Sequence, residues 1–151
     1  MSDAIPPLLR RVDHIGIAVH DLDAAVALYE HSFGIHSWER IVLLERHMAV
    51  AVCRIGDCML ELISPTSDEA AFARFLRERG EGLHHIAYEV DDVEAALRTV
   101  EGRGIRLVDA HGRPGIHDTC VAFLHPKATM GVLTELVQLP QAKHEGESRG
   151  S

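Results

Sequence analysis

The chain has 151 residues, 46% hydrophobic and 25% charged, with a formal net charge of −8. That composition suits one compact soluble domain, and the acidic balance offers no basic surface to nucleic acid or to an anionic membrane. No apolar run reaches the roughly 20 residues of a membrane span, and "MSDAIPPLLRR" lacks a signal-peptide core, so a cytoplasmic protein is expected. The three cysteines, Cys53, Cys58 and Cys120, form an odd set without framework spacing and read as reduced thiols. The eleven histidines are a high count, and they hint at metal or proton chemistry.

In chain order, a strand is expected over 12–19. A helix then opens on Asp21 as N-cap, carries Leu22, Ala25, Val26, Tyr29 and Phe33 at helical spacing, and ends at Gly34. Strands follow at about 38–44, 48–55 and 58–63, with "RIGD" (54–57) as the turn between the last two. A connecting helix over 66–80 is expected from the Thr66/Glu69 capping-box pattern and the stripe Phe72, Phe75, Leu76, stopped by Gly80 or Gly82. A strand over 84–90 and a helix capped by Asp92, with Val93, Ala96, Leu97 and Val100 on one face, come next. Gly102 or Gly104 ends that helix, and strands at about 105–110, 119–124 and 131–138 complete the chain. Residues 1–9 and 141–151 are expected to be flexible tails.

The chain repeats itself. "HIGIAVHDLDAAV" (14–26) lies over "HIAYEVDDVEAAL" (85–97) with six of thirteen positions identical, at an offset of 71. "MLELISP" (59–65) lies over "LTELVQL" (133–139) at an offset of 74. The organisation is therefore a βαβββ module used twice, about 12–65 and 83–139, within one domain of 10–140, an α+β class.

The repeat makes His85, not its neighbour His84, the counterpart of His14. Strand parity places His85 on the face of Ala87 and Glu89, and His84 on the packing face with Ile86. The second match pairs Glu61 with Glu135, each set among apolar neighbours, where an ionised carboxylate is costly unless paired or bound to a cation. A lone strand histidine or glutamate is usually an ordinary polar residue. Two of each at equivalent repeat positions point to one metal site. Imidazole with carboxylate suits Zn, Co, Ni, Mn or Fe(II).

The stretches "DHIGIAVHDLDAAVALY", "GDCMLELISPTSDEA", "FLRERGEGLHHIAYEVDDVEAAL", "GIRLVDAHGRPG" and "VAFLHPKATMGVLTELVQLP" cover most of 12–140. Through them the chain resembles the methylmalonyl-CoA epimerase family of the vicinal oxygen chelate superfamily. "GLHHIA" and "FLHPKATxGVLxEL" are the more specific matches. The resemblance implies two tandem βαβββ modules that share a curved mixed sheet around a metal site, with His14, Glu61, His85 and Glu135 as ligands of one divalent ion. It implies an epimerase that removes the α-proton of methylmalonyl-CoA, or of a close 2-substituted acyl thioester, through a metal-stabilised enolate. It also implies an acyl-CoA partner and a homodimer.

Glu135 takes one proton-transfer role in that reading. Relatives carry a Glu where Val50 aligns, and their loops differ from "ERH" (45–47) and "IHDT" (116–119). Glu45 is accordingly taken as the second catalytic group, with His47, His117 and Lys127 as substrate contacts. The alternatives within the superfamily are a glyoxalase I-like isomerase and a lyase or cyclase of a specialised pathway. A non-catalytic small-molecule binder is the alternative outside enzymes, and four retained ligands speak against it. Four ligands also speak against an extradiol-type dioxygenase, which keeps an open iron site.

Overall fold

The structure, a computed structural model, describes residues 5–141. Of the expected tails, residues 1–4 and 142–151 lie outside the described residues. Leu8, in the described part of the N-terminal tail, packs against the core of the second module.

Eight strands form one mixed sheet. The first module contributes β1 (Arg11–Ala18), α1 (Leu22–Phe33), β2 (Glu39–Leu43), β3 (Met48–Ile55) and β4 (Cys58–Pro65). After the short helix α2 (Ala73–Arg79), the second module contributes β5 (Gly82–Glu89), α3 (Val93–Gly102), β6 (Arg113–Pro114), β7 (Cys120–Leu124) and β8 (Leu133–Gln138). The strand order β2-β3-β4-β1-β5-β8-β7-β6 is symmetric about the antiparallel β1–β5 pair. Each central strand also pairs in parallel with the last strand of its own module, β1 with β4 and β5 with β8.

The helix caps follow directly from the sequence. The Asp21 side chain accepts from the Ala24 N–H at 3.0 Å, and the Asp92 side chain from the Ala95 N–H at 2.9 Å, satisfying donors that a helix start leaves free. Gly34 closes α1 with φ +68°, a left-handed conformation that glycine adopts without penalty. Helix α1 rests on β3 and β4, and α3 on β7 and β8. Strand alternation then divides the molecule. Leu60 and Leu62 of β4 pack under α1 with Val26, and Leu136 of β8 packs under α3 with Leu97. The intervening residues, Glu61 and Ile63 on β4 and Glu135 and Val137 on β8, turn to the opposite, concave face.

Two expected elements differ. The connecting helix begins at Ala73, not Thr66, and Phe72 precedes it with no side-chain cap. The Ser67 hydroxyl accepts the Glu69 N–H at 3.2 Å and the Ser67 carbonyl accepts from Ala70, so a turn takes the bonds that a capping box would use. The Glu69 carboxylate instead reaches His47, 2.9 Å away. The strand expected at 105–110 is reduced to one bridge between Leu107 and Leu124. There the Asp109 carboxylate accepts the Phe123 N–H at 2.8 Å, which replaces a ladder bond with a side-chain bond.

The centre of the sheet is not a plain pleat. The β1–β5 register passes from Val12↔Tyr88 to His14↔Ala87, leaving Asp13 unpaired. It then passes from Gly16↔His85 to Ile17↔Leu83, leaving His84 unpaired. Asp13 and His84 are therefore the extra residues of two β-bulges, one in each central strand.

Candidate metal centre

The concave face encloses a cavity of about 730 Å³. At its floor His14, Glu61, His85 and Glu135 converge, all buried, with relative exposures of 5%, 7%, 5% and 5%. His14 Nε2 lies 3.1 Å from His85 Nε2 and 3.1 Å from Glu135 Oε2, and His85 Nε2 lies 3.2 Å from the same oxygen. One ligand atom from each of these three residues falls within 4.8 Å of the other two. Glu61 joins from the first module, its Oε2 3.2 Å from His14 Nε2.

Gly16 makes the arrangement possible. A Cβ on this residue would stand 2.1 Å from the Cε1 atom of the His85 ring, so the imidazole occupies the space that a side chain would fill.

The parity argument holds for His85 and fails for His84. The bulge swings His84 off the packing face of Ile86 and onto the cavity wall. Its ring meets the rings of Phe72 and Phe75 edge-on, and its Nδ1 lies 2.9 Å from His85 Nδ1. Asp13 went unnoticed in the sequence because a strict pleat points it away from His14. The bulge buries it to 1% exposure, with Oδ2 2.7 Å from His14 Nδ1 and Oδ1 accepting from Arg11 Nη2 at 3.0 Å. Only the adjacency in "DH" could have signalled it.

The remaining site expectations separate. Glu45, His47 and His117 all line the cavity. They belong to two loops, each of which reaches the edge strand of the other module. His117 Nε2 is 2.6 Å from Glu39 Oε2, and the Arg46 guanidinium donates to the Pro114 carbonyl. Lys127 is not on the cavity wall. It is exposed in the turn Pro126–Ala128, where its N–H donates to His125 Nδ1 at 3.1 Å. Val50 lines the cavity as a buried apolar wall.

The electrostatics match a site built for positive charge. Burial opposes charging His14, yet the hydrogen bonds to Asp13 and Glu135 and the charge of Glu61 outweigh it and raise the imidazole to about 10. Burial likewise opposes the Glu135 carboxylate, but the bonds from His14 and His85 hold it down at about 2. Burial dominates at Glu61 and pushes its carboxyl up, against the attraction of the two histidines. At His84, burial and then the neighbouring His85 lower the imidazole to about 4, so this ring stays neutral.

Two imidazole nitrogens aimed at one point beside two buried carboxylates fit a divalent cation. Such an ion requires His14 without its extra proton. This gives opposite pH responses. In chelated protein the His14 contribution to stability is full below 6.5 and is lost as pH rises through about 10. The Glu135 contribution is present above 4.5 and is lost as pH falls toward about 2. Binding of a divalent ion is expected to strengthen over the upper window. The Tm of ion-loaded protein minus that of chelated protein is therefore expected to widen by on the order of 5 °C as pH rises from 6.5 toward 10. Scanning calorimetry of both forms checks this, and parallel pH profiles would contradict it.

Comparison with known proteins agrees with the fold. Residues 13–123 match the sequence pattern of the Glyoxalase/Bleomycin resistance protein/Dioxygenase superfamily. The mitochondrial methylmalonyl-CoA epimerase of Homo sapiens is 37% identical over 131 residues, 86% of this chain and 74% of that protein. The ethylmalonyl-CoA/methylmalonyl-CoA epimerase of Cereibacter sphaeroides is 34% identical over 135 residues, 87% of this chain and 100% of that protein. The solved structure of Streptomyces coelicolor methylmalonyl-CoA epimerase with 2-nitronate-propionyl-CoA superposes with a TM-score of 0.82 at 39% identity, covering 87% of this chain and 95% of that one. With its duplicated module, shared sheet and this degree of likeness, the chain belongs to the methylmalonyl-CoA epimerase family of the glyoxalase/bleomycin resistance/dioxygenase superfamily.

Proposed function

We propose that this protein is a metal-dependent epimerase that interconverts the two configurations of methylmalonyl-CoA or of a close 2-substituted acyl thioester. The observation that carries the proposal is the convergence of His14, Glu61, His85 and Glu135 at the floor of one open cavity. The family supports the substrate class, since its members are named for methylmalonyl-CoA and the Streptomyces coelicolor structure holds an acyl-CoA analogue.

The chemistry required is removal of a hydrogen from a carbon flanked by a thioester and a carboxylate, followed by its return from the opposite side. His14, Glu61, His85 and Glu135 would hold one divalent ion. When bound, it supplies Lewis acidity that offsets the negative charge developing on the thioester oxygen. Glu135 commits one carboxylate oxygen to the two imidazoles, and its carboxylate is the group assigned to the α-proton. Glu45, on the other module at the cavity wall, is assigned the complementary proton role on the opposite face. The apolar wall that includes Val50, Ile63 and Phe123 limits water around the carbanionic charge.

His47 and His117 are assigned to substrate contacts on the cavity wall. Lys127, outside the wall, can meet only a part of the acyl-CoA that extends beyond the cavity. Among the described residues no helix is long and apolar enough to cross a membrane. A cytoplasmic homodimer belongs to the same proposal, and the exposed sheet edges at β2 and β6 support self-association. The test is deuterium uptake at the α-carbon of methylmalonyl-CoA in heavy water, with and without chelator.

A further inference from the structure

We infer that Asp13 and His84, the two bulge residues, are positioning residues that fix the tautomers of His14 and His85 so that both imidazoles present an unprotonated Nε2 to one cation. The inference rests on the metal reading above and extends it to residues outside the ligand set.

A strict pleat would turn Asp13 and His84 away from the adjacent ligands. Each bulge instead delivers its extra residue to the neighbouring imidazole, on the nitrogen remote from the cation position. A carboxylate only accepts, so the 2.7 Å contact from Asp13 Oδ2 keeps a proton on His14 Nδ1, and the proton that a cation must displace is then the one on Nε2 facing Glu135. The carboxylate is itself held in place. Arg11 donates to Asp13 Oδ1 at 3.0 Å, to Glu89 Oε2 at 2.6 Å and to the Asp57 carbonyl at 2.7 Å.

In the second module the same task falls to a second imidazole. His84 Nδ1 stands 2.9 Å from His85 Nδ1, and one of the two nitrogens must donate. Donation by His85 frees its Nε2, the atom that faces His14 and Glu135 at 3.1 and 3.2 Å. Edge contacts with Phe72 and Phe75, at ring separations of 5.6 and 5.1 Å, hold the His84 ring for that role. A cation on His85 Nε2 and an accepting His84 Nδ1 therefore select each other.

The test measures Co(II) affinity by chelator competition and the visible Co(II) spectrum, on the full-length chain. His84→Leu keeps an apolar body against Phe72 and Phe75 but removes the acceptor, and is expected to weaken Co(II) binding about 10–100-fold. His84→Asn places an amide oxygen near the Nδ1 position and is expected to stay within about threefold of wild type. Asp13→Ala is expected to behave like His84→Leu. If Asp13→Ala fails to fold, the His84 pair decides. Nitrogen-15 NMR of the zinc-loaded protein should show His14 and His85 both protonated at Nδ1, a readout that loss of packing alone does not alter. Wild-type Co(II) affinity in His84→Leu, equal loss in His84→Leu and His84→Asn, or an Nε2 proton on either ligand would overturn the inference. Absence of a Co(II) site in the wild type would overturn the metal reading and this inference together.

Discussion

Glu135→Gln is expected to lower turnover of methylmalonyl-CoA by about 10²–10⁴-fold, the scale of losing a positioned proton-transfer group. The amide keeps the shape and one carbonyl oxygen of the side chain, so most of the bound metal should remain and the loss should appear in kcat. The Glu135 carboxylate is held at about 2 by bonds from His14 and His85, and glutamine cannot supply that charge. Glu61→Gln gives the matching contrast. The α-proton is assigned to Glu135, and an amide at position 61 keeps an oxygen that can still face the cation position. That substitution should cost no more than about tenfold. The ratio of the two losses, with metal content measured alongside, is the decisive quantity. A Glu135→Gln enzyme within tenfold of wild type, or equal losses in the two variants, would remove Glu135 from the proton-transfer role.

Gly16→Ala should abolish the metal site without touching a ligand. The added methyl would come within 2.1, 2.4 and 2.7 Å of three atoms of the His85 ring. The ring cannot step aside cheaply. His14, His84 and Phe123 meet it edge-on at centroid separations of 5.1, 5.2 and 5.9 Å. Displacing His85 by an ångström or more breaks the contacts at 3.1 and 3.2 Å that define the cluster. Metal affinity is expected to fall more than about 100-fold, beyond the loss typical of an outer-shell change. Dialysed wild-type protein should retain about one ion per chain and Gly16→Ala nearly none, and chelated Gly16→Ala should melt below chelated wild type because the clash is present without the ion. Stoichiometric metal in Gly16→Ala would contradict the geometry.

The sequence disclosed those features that local chemistry or internal repetition governs. Asp21 and Asp92 cap their helices because a side-chain oxygen three residues before a free N–H needs no tertiary help. The four clustered side chains were legible because the duplication marks equivalent positions twice, and strand parity placed His14, Glu61, His85 and Glu135 on the concave face. Parity fails where the pleat fails. His84 and Asp13 sit in bulges fixed by the pairing of β1 with β5, strands whose equivalent residues are 71 positions apart, and apart from the adjacency of Asp13 to His14 no local signal marks them. Thr66 and Glu69 spelled a capping box, yet Ser67 and His47 took the partners that the box needed. At 105–110, Asp109 captured a ladder donor and the strand was lost. The contacts of Arg46 with Pro114 and of His117 with Glu39 are tertiary, so they had no signature in either segment.

The most direct measurement is hydrogen exchange at the α-carbon of a single enantiomer of methylmalonyl-CoA in heavy water, read by mass spectrometry and chiral analysis together. Wild-type protein should incorporate one deuterium per molecule as the centre racemises. Chelator should suppress both changes, and added divalent ion should restore both. Exchange no faster than in buffer, or exchange that proceeds unchanged in chelator, would contradict a metal-dependent epimerase built on His14, Glu61, His85 and Glu135.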